Sequence, residues 1–165
     1  MRAIDVRDLL EHPGSSKTVR VDEPVPGLST ELVEVPKDEP LEGDLTLESV
    51  IEGIYVTGSV AGRMSFRCAR CLKPFERDFE IGLQEMVVRD PGPDDDYVLE
   101  PDLHLDPEPM VRDAVVLAMP FSPLCKPDCL GLCERCGGDR NLGECTCTAY
   151  VDPRWAALER FGEEP

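Results

Sequence analysis

Between residues 54 and 68 the chain alternates. Ile54, Val56, Val60, Met64, Phe66 and Cys68 hold even positions, and Tyr55, Thr57, Ser59, Arg63, Ser65 and Arg67 hold odd ones. A period of two places successive side chains on opposite faces of an extended backbone, so this stretch predicts a long half-buried strand. Gly58 and Gly62 fall inside it and suggest bends or bulges. Upstream, Leu45 and Leu47 are in step, and Glu52-Gly53 turns that segment into a hairpin with the long strand. Downstream, Phe75, Phe79, Ile81 and Leu83 face one way and Glu76, Asp78 and Glu80 the other. The result is a three-stranded antiparallel meander whose Cys68/Cys71 turn lies at one end. Residues 18–21 and 32–35 read as short strands separated by Pro24, Pro26 and Gly27, and residues 6–10 as a short helix or turn. Together these give a curved sheet or open barrel.

Beyond the meander the pattern changes. Residues 89–105 contain a Pro-Gly-Pro-Asp run, carry little apolar content and read as an acidic loop or linker. Asp106-Pro107 supplies a cap and a proline for the first helical turn. The helix should run from Met110 to Met119 and stop at Pro120. It is apolar nearly all round and is therefore expected to be buried against the sheet. Asp152-Pro153 repeats the start signal for a short helix over 154–161, with Trp155 and Leu158 as core contacts. The expected class is α+β. The divisions are a β-rich body at 1–88, the acidic segment at 89–105, and a helix plus cysteine-rich segment at 106–165 packed on the body.

Composition sharpens this picture. In 165 residues, aromatics make up 5%, with 16 prolines and 13 glycines. That favours short strands, many turns and a thin core, which bound metal would reinforce. The first residues lack an apolar run of signal-peptide length, and no stretch approaches the roughly 20 apolar residues that span a bilayer. The chain is expected in a reducing cytoplasm, where cysteines serve metals rather than disulfides.

The eight cysteines fall in two groups: Cys68-x2-Cys71, and Cys125-x3-Cys129-x3-Cys133-x2-Cys136-x8-Cys145-x-Cys147. Four thiolates close a tetrahedral zinc site and leave no open position for chemistry. Eight ligands thus suggest two structural zinc ions. One division places Cys133, Cys136, Cys145 and Cys147 on one ion and Cys68, Cys71, Cys125 and Cys129 on the other. The second division groups Cys125, Cys129, Cys133 and Cys136, leaving Cys68/Cys71 with Cys145/Cys147. Spacing does not decide between them. A single zinc with free thiols, an iron–sulfur cluster and a redox dithiol are the rival chemistries. His12 and His104 lie far from the cysteines and read as surface residues. The sequence holds no phosphate loop, nucleophile elbow or His-Glu-x-x-His helix, so no enzymatic activity is expected.

The formal net charge is −17, which repels nucleic-acid phosphate at long range and attracts basic partners. The charge is uneven. From Glu85 to Asp113 ten acids face two bases, whereas Arg63, Arg67, Arg70, Lys73 and Arg77 stand against Glu76 alone. That basic cluster reads either as a solvated strand face or as a local RNA contact beside a zinc knuckle. It lacks the interleaved aromatics of a base-stacking platform.

The segments Cys68-Ala-Arg-Cys71-Leu-Lys-Pro, Val115-Val-Leu-Ala-Met-Pro-Phe-Ser-Pro-Leu-Cys125, Cys129-Leu-Gly-Leu-Cys-Glu-Arg-Cys-Gly-Gly and Asp152-Pro-Arg-Trp-Ala-Ala-Leu, in that order, resemble the YceD family of large ribosomal RNA subunit accumulation proteins. The resemblance covers roughly residues 45–160. It implies a bacterial cytoplasmic protein linked to 23S ribosomal RNA accumulation and large-subunit biogenesis, with no catalytic residues to carry over. It also implies that Cys68, Cys71, Cys125 and Cys129 match the family's more widespread metal-type positions, and that Cys133 to Cys147 belong to a longer version of the fold. The family's genes commonly neighbour that of a zinc-binding large-subunit ribosomal protein.

The expected function is therefore a zinc-stabilised accessory protein that acts by binding a basic ribosomal protein or a large-subunit assembly factor, with any rRNA contact near Arg63 to Arg77 and no membrane or DNA partner. A zinc-dependent redox sensor and an RNA-processing factor are the alternatives. If Cys68 and Cys129 share an ion, serine at either is expected to unfold the body, and serine at Cys145 to disturb only the tail.

Overall fold

The computed structural model describes residues 1–93, 95–147 and 154. The helix expected over 154–161, with Trp155 and Leu158, lies outside them apart from Arg154. The described elements are β1 (Ile4–Asp5), α1 (Arg7–Leu10), β2 (Ser16–Glu23), β3 (Val33–Glu34), β4 (Leu41–Ser49), β5 (Gly53–Arg67), β6 (Pro74–Val88), β7 (His104–Leu105), α2 (Glu108–Ala118) and a 3-10 turn at Arg140–Leu142.

The long alternating segment is the backbone of the fold. β5 pairs antiparallel with β6 along its whole length, from Gly53↔Val88 to Arg67↔Pro74. Its other edge is shared: β4 covers the first half, to Glu42↔Ala61, and β3 the far end at Val33↔Phe66. β2 adds outside β4, and no pairing joins β2 to β6, so the sheet stays open among the described residues. The β4–β5 turn is closed by Val50 N–H to Gly53 O (3.0 Å) and Gly53 N–H to Val50 O (3.3 Å). β1 pairs with β7 and ties the N-terminal segment to the entry of α2.

Leu41, Leu45, Leu47, Ile54, Val56, Val60 and Leu83 are sealed from solvent on one face of the sheet. Period-two alternation supplies that face directly from sequence. Gly43 shows how tightly two strands approach there. A Cβ at Gly43 would sit 2.0 Å from the Ser59 carbonyl oxygen, on backbone that cannot move aside without unpairing β4 from β5. Gly43→Ala is expected to cost about 2–4 kcal/mol, read as a lower urea midpoint at unchanged metal content.

α2 begins where the sequence signals it. The Asp106 carboxylate accepts the Glu108 N–H (2.9 Å), and the helix ends before Pro120. Its burial differs from expectation. Met110, Val111 and Val115 are buried, with Met119 just past the end, whereas Val116 is 42% and Leu117 85% exposed. A helix turns about 100° per residue, so a sheet-facing stripe on Val111 and Val115 sends Val116 to the opposite side, whereas Leu117, seven residues after Met110 and close to its angle, is exposed at the last turn of the helix. The acidic segment folds back on β6: Val88 N–H bonds to Tyr97 O (3.0 Å), Leu99 N–H bonds to Val88 O (2.8 Å), and Leu99 is buried.

Candidate metal centres

The first centre grows from the end of the long hairpin. β5 stops at Arg67, and the turn to β6 is closed by Leu72 N–H to Cys68 O (2.9 Å) and Cys68 N–H to Lys73 O (3.0 Å), with Leu72 left-handed at φ 60°. This turn sets the Cys68 and Cys71 thiols side by side. The segment after α2 is pinned across it. Ala69 N–H reaches Pro123 O (2.8 Å), Arg77 donates to Leu124 O (2.8 Å), and Arg70 donates to Cys129 O (2.8 Å). Cys125 and Cys129 are thereby brought over Cys68 and Cys71.

Within this tetrad all four Sγ atoms lie within 4.8 Å of one another. Cys68 and Cys129 are 3.8 Å apart and Cys71 and Cys125 3.6 Å. A tetrahedral zinc with 2.3 Å bonds needs sulfurs about 3.8 Å apart, whereas a disulfide needs about 2.05 Å. The spacing thus fits a shared ion. Cys68, Cys71 and Cys129 are buried, with Phe75, Leu124 and Leu132 packed against them.

The second tetrad, Cys133, Cys136, Cys145 and Cys147, also lies within 4.8 Å. Its knuckle is built by Gly137 N–H to Cys133 O (2.8 Å) and Cys133 N–H to Gly138 O (2.9 Å), with Gly137 at φ 72°. That left-handed φ is why glycine follows the cysteine pair. This tetrad is more open: Cys136 and Cys147 are exposed, Cys133 and Cys145 half-buried. Of the two divisions the spacing allowed, the structure assembles the one in which Cys68/Cys71 meet Cys125/Cys129.

Thiol acidity within the tetrads is uneven. Burial raises Cys68, but N–H groups of Cys125, Cys71 and Arg70 outweigh it and bring it down to about 6. Burial and the surrounding thiols push Cys125 up to about 12. The N–H groups of Cys136 and Arg135 bring Cys133 down to about 6, while Cys136 and burial push Cys147 up to about 12. Four crowded sulfurs resist carrying four negative charges until a cation joins them. Metal binding must therefore expel protons, and affinity rises with pH. Moving from about pH 7.5 to about pH 5.5 is expected to weaken metal binding by orders of magnitude, measured by chelator competition. Equal affinity at both pH values would contradict thiolate ligation.

A polar hub joins the tetrads. Lys73 Nζ lies 2.7 Å from Asp139 Oδ2, and Asp139 is 5% exposed. Lys73 first, then Asn141, hold the Asp139 carboxyl at about 2. Asn141 donates its backbone N–H and its Nδ2 to Asp139 Oδ1 (2.8 Å each), accepts Leu130 N–H at Oδ1 (2.9 Å), and points Nδ2 at Cys129 Sγ (3.6 Å). The cysteine pattern gave no sign of these residues.

The basic cluster is split. Arg63 sits against Asp78 (3.1 Å) and Glu39 (3.9 Å), and Lys73 against Asp139. Arg70 and Arg77 clamp ligand-loop carbonyls, Arg77 also lying over the Phe75 ring. Arg67 is exposed and shows no ion pair among the described residues. His104 faces Asp102 (3.2 Å), His12 is exposed on the turn after α1, and neither joins a tetrad.

An open antiparallel sheet whose central hairpin meets a cysteine-rich segment at one four-thiol group, with a second group beside it, defines a β-rich protein with two thiol tetrads spaced as metal ligands are. The chain belongs to the YceD family: the family model described as large ribosomal RNA subunit accumulation protein YceD matches residues 56–162, from within β5 through both tetrads. This gives the chain a ribosome-related role. It is 37% identical over 144 residues to an uncharacterized protein of Mycobacterium tuberculosis, covering 83% of this chain and 70% of that protein. An uncharacterized protein of Mycobacterium leprae is 29% identical over 163 residues (93% and 74%), and the uncharacterized protein YlbN of Bacillus subtilis 30% over 108 residues (62% and 63%). No solved structure matches the chain. Among the described residues no helix is long and apolar enough to cross a membrane.

Proposed function

We propose that this chain is a non-enzymatic, zinc-stabilised accessory protein in 23S ribosomal RNA accumulation and large-subunit biogenesis, acting in the cytoplasm by binding a basic protein partner. The Cys68/Cys71/Cys125/Cys129 tetrad, buried at three sulfurs and half-buried at Cys125, carries the reading. An all-sulfur set at tetrahedral spacing, with Phe75, Leu124 and Leu132 packed against it, is suited to a closed structural ion that fills all four coordination positions with sulfur. The net charge of −17 favours a basic protein over naked RNA. The split of the basic cluster points the same way, because Arg70, Lys73 and Arg77 serve the thiol loops and leave Arg67 as the candidate rRNA contact. Depleting the protein in its host is expected to lower the ratio of 23S to 16S ribosomal RNA and the share of mature large subunits on sucrose gradients. Unchanged profiles would overturn the reading.

The open second tetrad favours one alternative, zinc release on thiol oxidation. Cys136 and Cys147 are exposed, and Cys133 is an acidic thiol. Peroxide that frees one zinc per chain while large-subunit assembly stays intact would move that alternative ahead.

A further inference from the structure

Among the described residues, two apolar side chains near the C-terminal end of α2 stand exposed. Val116 and Leu117 are 42% and 85% exposed, and they line one groove with Tyr97, Glu85, Asp96 and Asp113. Among the described residues the groove mixes an apolar floor with three acids and no base. One acid is fixed in place: the Tyr97 hydroxyl donates to Asp113 Oδ2 at 2.9 Å, leaving the other carboxylate oxygen free of that bond. Arg112, the base on the same helix, is turned elsewhere, donating to Glu108 Oε1 (2.8 Å) and Pro26 O (3.0 Å).

We infer that this groove docks a Lys/Arg-rich polypeptide segment that inserts one apolar side chain over Val116 and Leu117 and sets its cations on Glu85, Asp96 and Asp113. Charge complementarity selects this occupant. Phosphate of RNA would meet three carboxylates with no neutralising base. A second copy would bring the same acids to the same place and a net charge of −17. The acids do not converge on an ion either, since the groups of three or more metal-capable side chains among the described residues are the two thiol tetrads. A basic segment gains both terms together, burial of its apolar anchor and pairing of its charges at a rim.

This site rests on the proposed basic partner and names its face. The test places a photo-crosslinking benzoylphenylalanine at Leu117, and as a control at Ile51, which is 96% exposed on the β4–β5 turn. The full metal-loaded chain is irradiated with nuclease-treated, salt-extracted large-subunit proteins, and separately with 23S ribosomal RNA. Adducts from position 117, mapping to one basic segment of one ribosomal protein and absent from position 51, are expected. Binding of that protein should weaken roughly tenfold or more in Leu117→Ser and Asp96→Lys. Both positions are exposed, and unchanged circular dichroism and metal content would show the variants folded. A ribosomal protein that binds equally well to both variants overturns the groove and leaves the proposed function standing. RNA adducts alone, or adducts to a second copy with no ribosomal protein bound, overturn both.

Discussion

Cys68→Ser is expected to leave the body largely unfolded. The reason is the position of the buried tetrad. It joins the tip of the β5–β6 hairpin to the segment after α2, closing the chain between Cys71 and Cys125 across the acidic segment and the helix. Structural zinc contributes apparent binding energies of about 10 kcal/mol or more, against a total stability for a domain of about 5–15 kcal/mol. Among the described residues, the aliphatic core under the sheet contains no fully buried aromatic side chain. Removing one of four sulfurs from a site that is 0% exposed at Cys68 also strands three thiols around a hole. The expected result is a melting temperature lower by more than ten degrees, or loss of soluble protein. Cys147→Ser, at an exposed sulfur of the other tetrad, is expected to leave the sheet folded. Equal and small shifts in both variants would remove the buried tetrad from its proposed role.

Asn141→Ala is expected to weaken metal binding at the buried tetrad by roughly 10–100-fold, although Asn141 is not a ligand in either group. Its Nδ2 points at Cys129 Sγ, its Oδ1 holds Leu130 N–H next to that cysteine, and Asp139 fixes its orientation through two further bonds. Asp139 is in turn held by Lys73, two residues beyond Cys71. The second tetrad folds the loop that carries Asp139 and Asn141, so filling it should pre-organise the first. This revises the expectation that Cys145→Ser disturbs only the tail: that variant should also loosen the remaining metal. Chelator competition on Asn141→Ala in a Cys145→Ser background reads the buried site alone. An affinity there no different from Cys145→Ser by itself would show the hub to be a surface decoration.

How much of this was legible beforehand depended on whether one residue type carried the signal. The β5 alternation was plain, because a strand with one buried face must repeat every second residue, and Ile54, Val56, Val60 and Met64 are the residues that became buried. Cysteine spacing located both knuckles but not their pairing, which depends on where α2 returns the chain. The exposure of Val116 and Leu117 was invisible, since an all-apolar helix reveals neither which stripe the sheet will take nor where along the helix the cover ends. The basic cluster left two readings open for a similar reason. Arg70 and Arg77 are simply two members of a basic run in sequence, and the fold has them donate to loop carbonyls 59 and 47 residues away. Lys73, Asp139 and Asn141 are ordinary polar residues whose meeting is created only by the fold.

Native mass spectrometry of the protein purified without added metal tests the central claim most directly. The account predicts two zinc ions per chain in the parent, one in Cys145→Ser, and one in whatever Cys68→Ser remains soluble. A metal-free parent, a parent carrying the mass of iron and sulfide, or one whose mass is lowered by hydrogen loss to disulfides would contradict it.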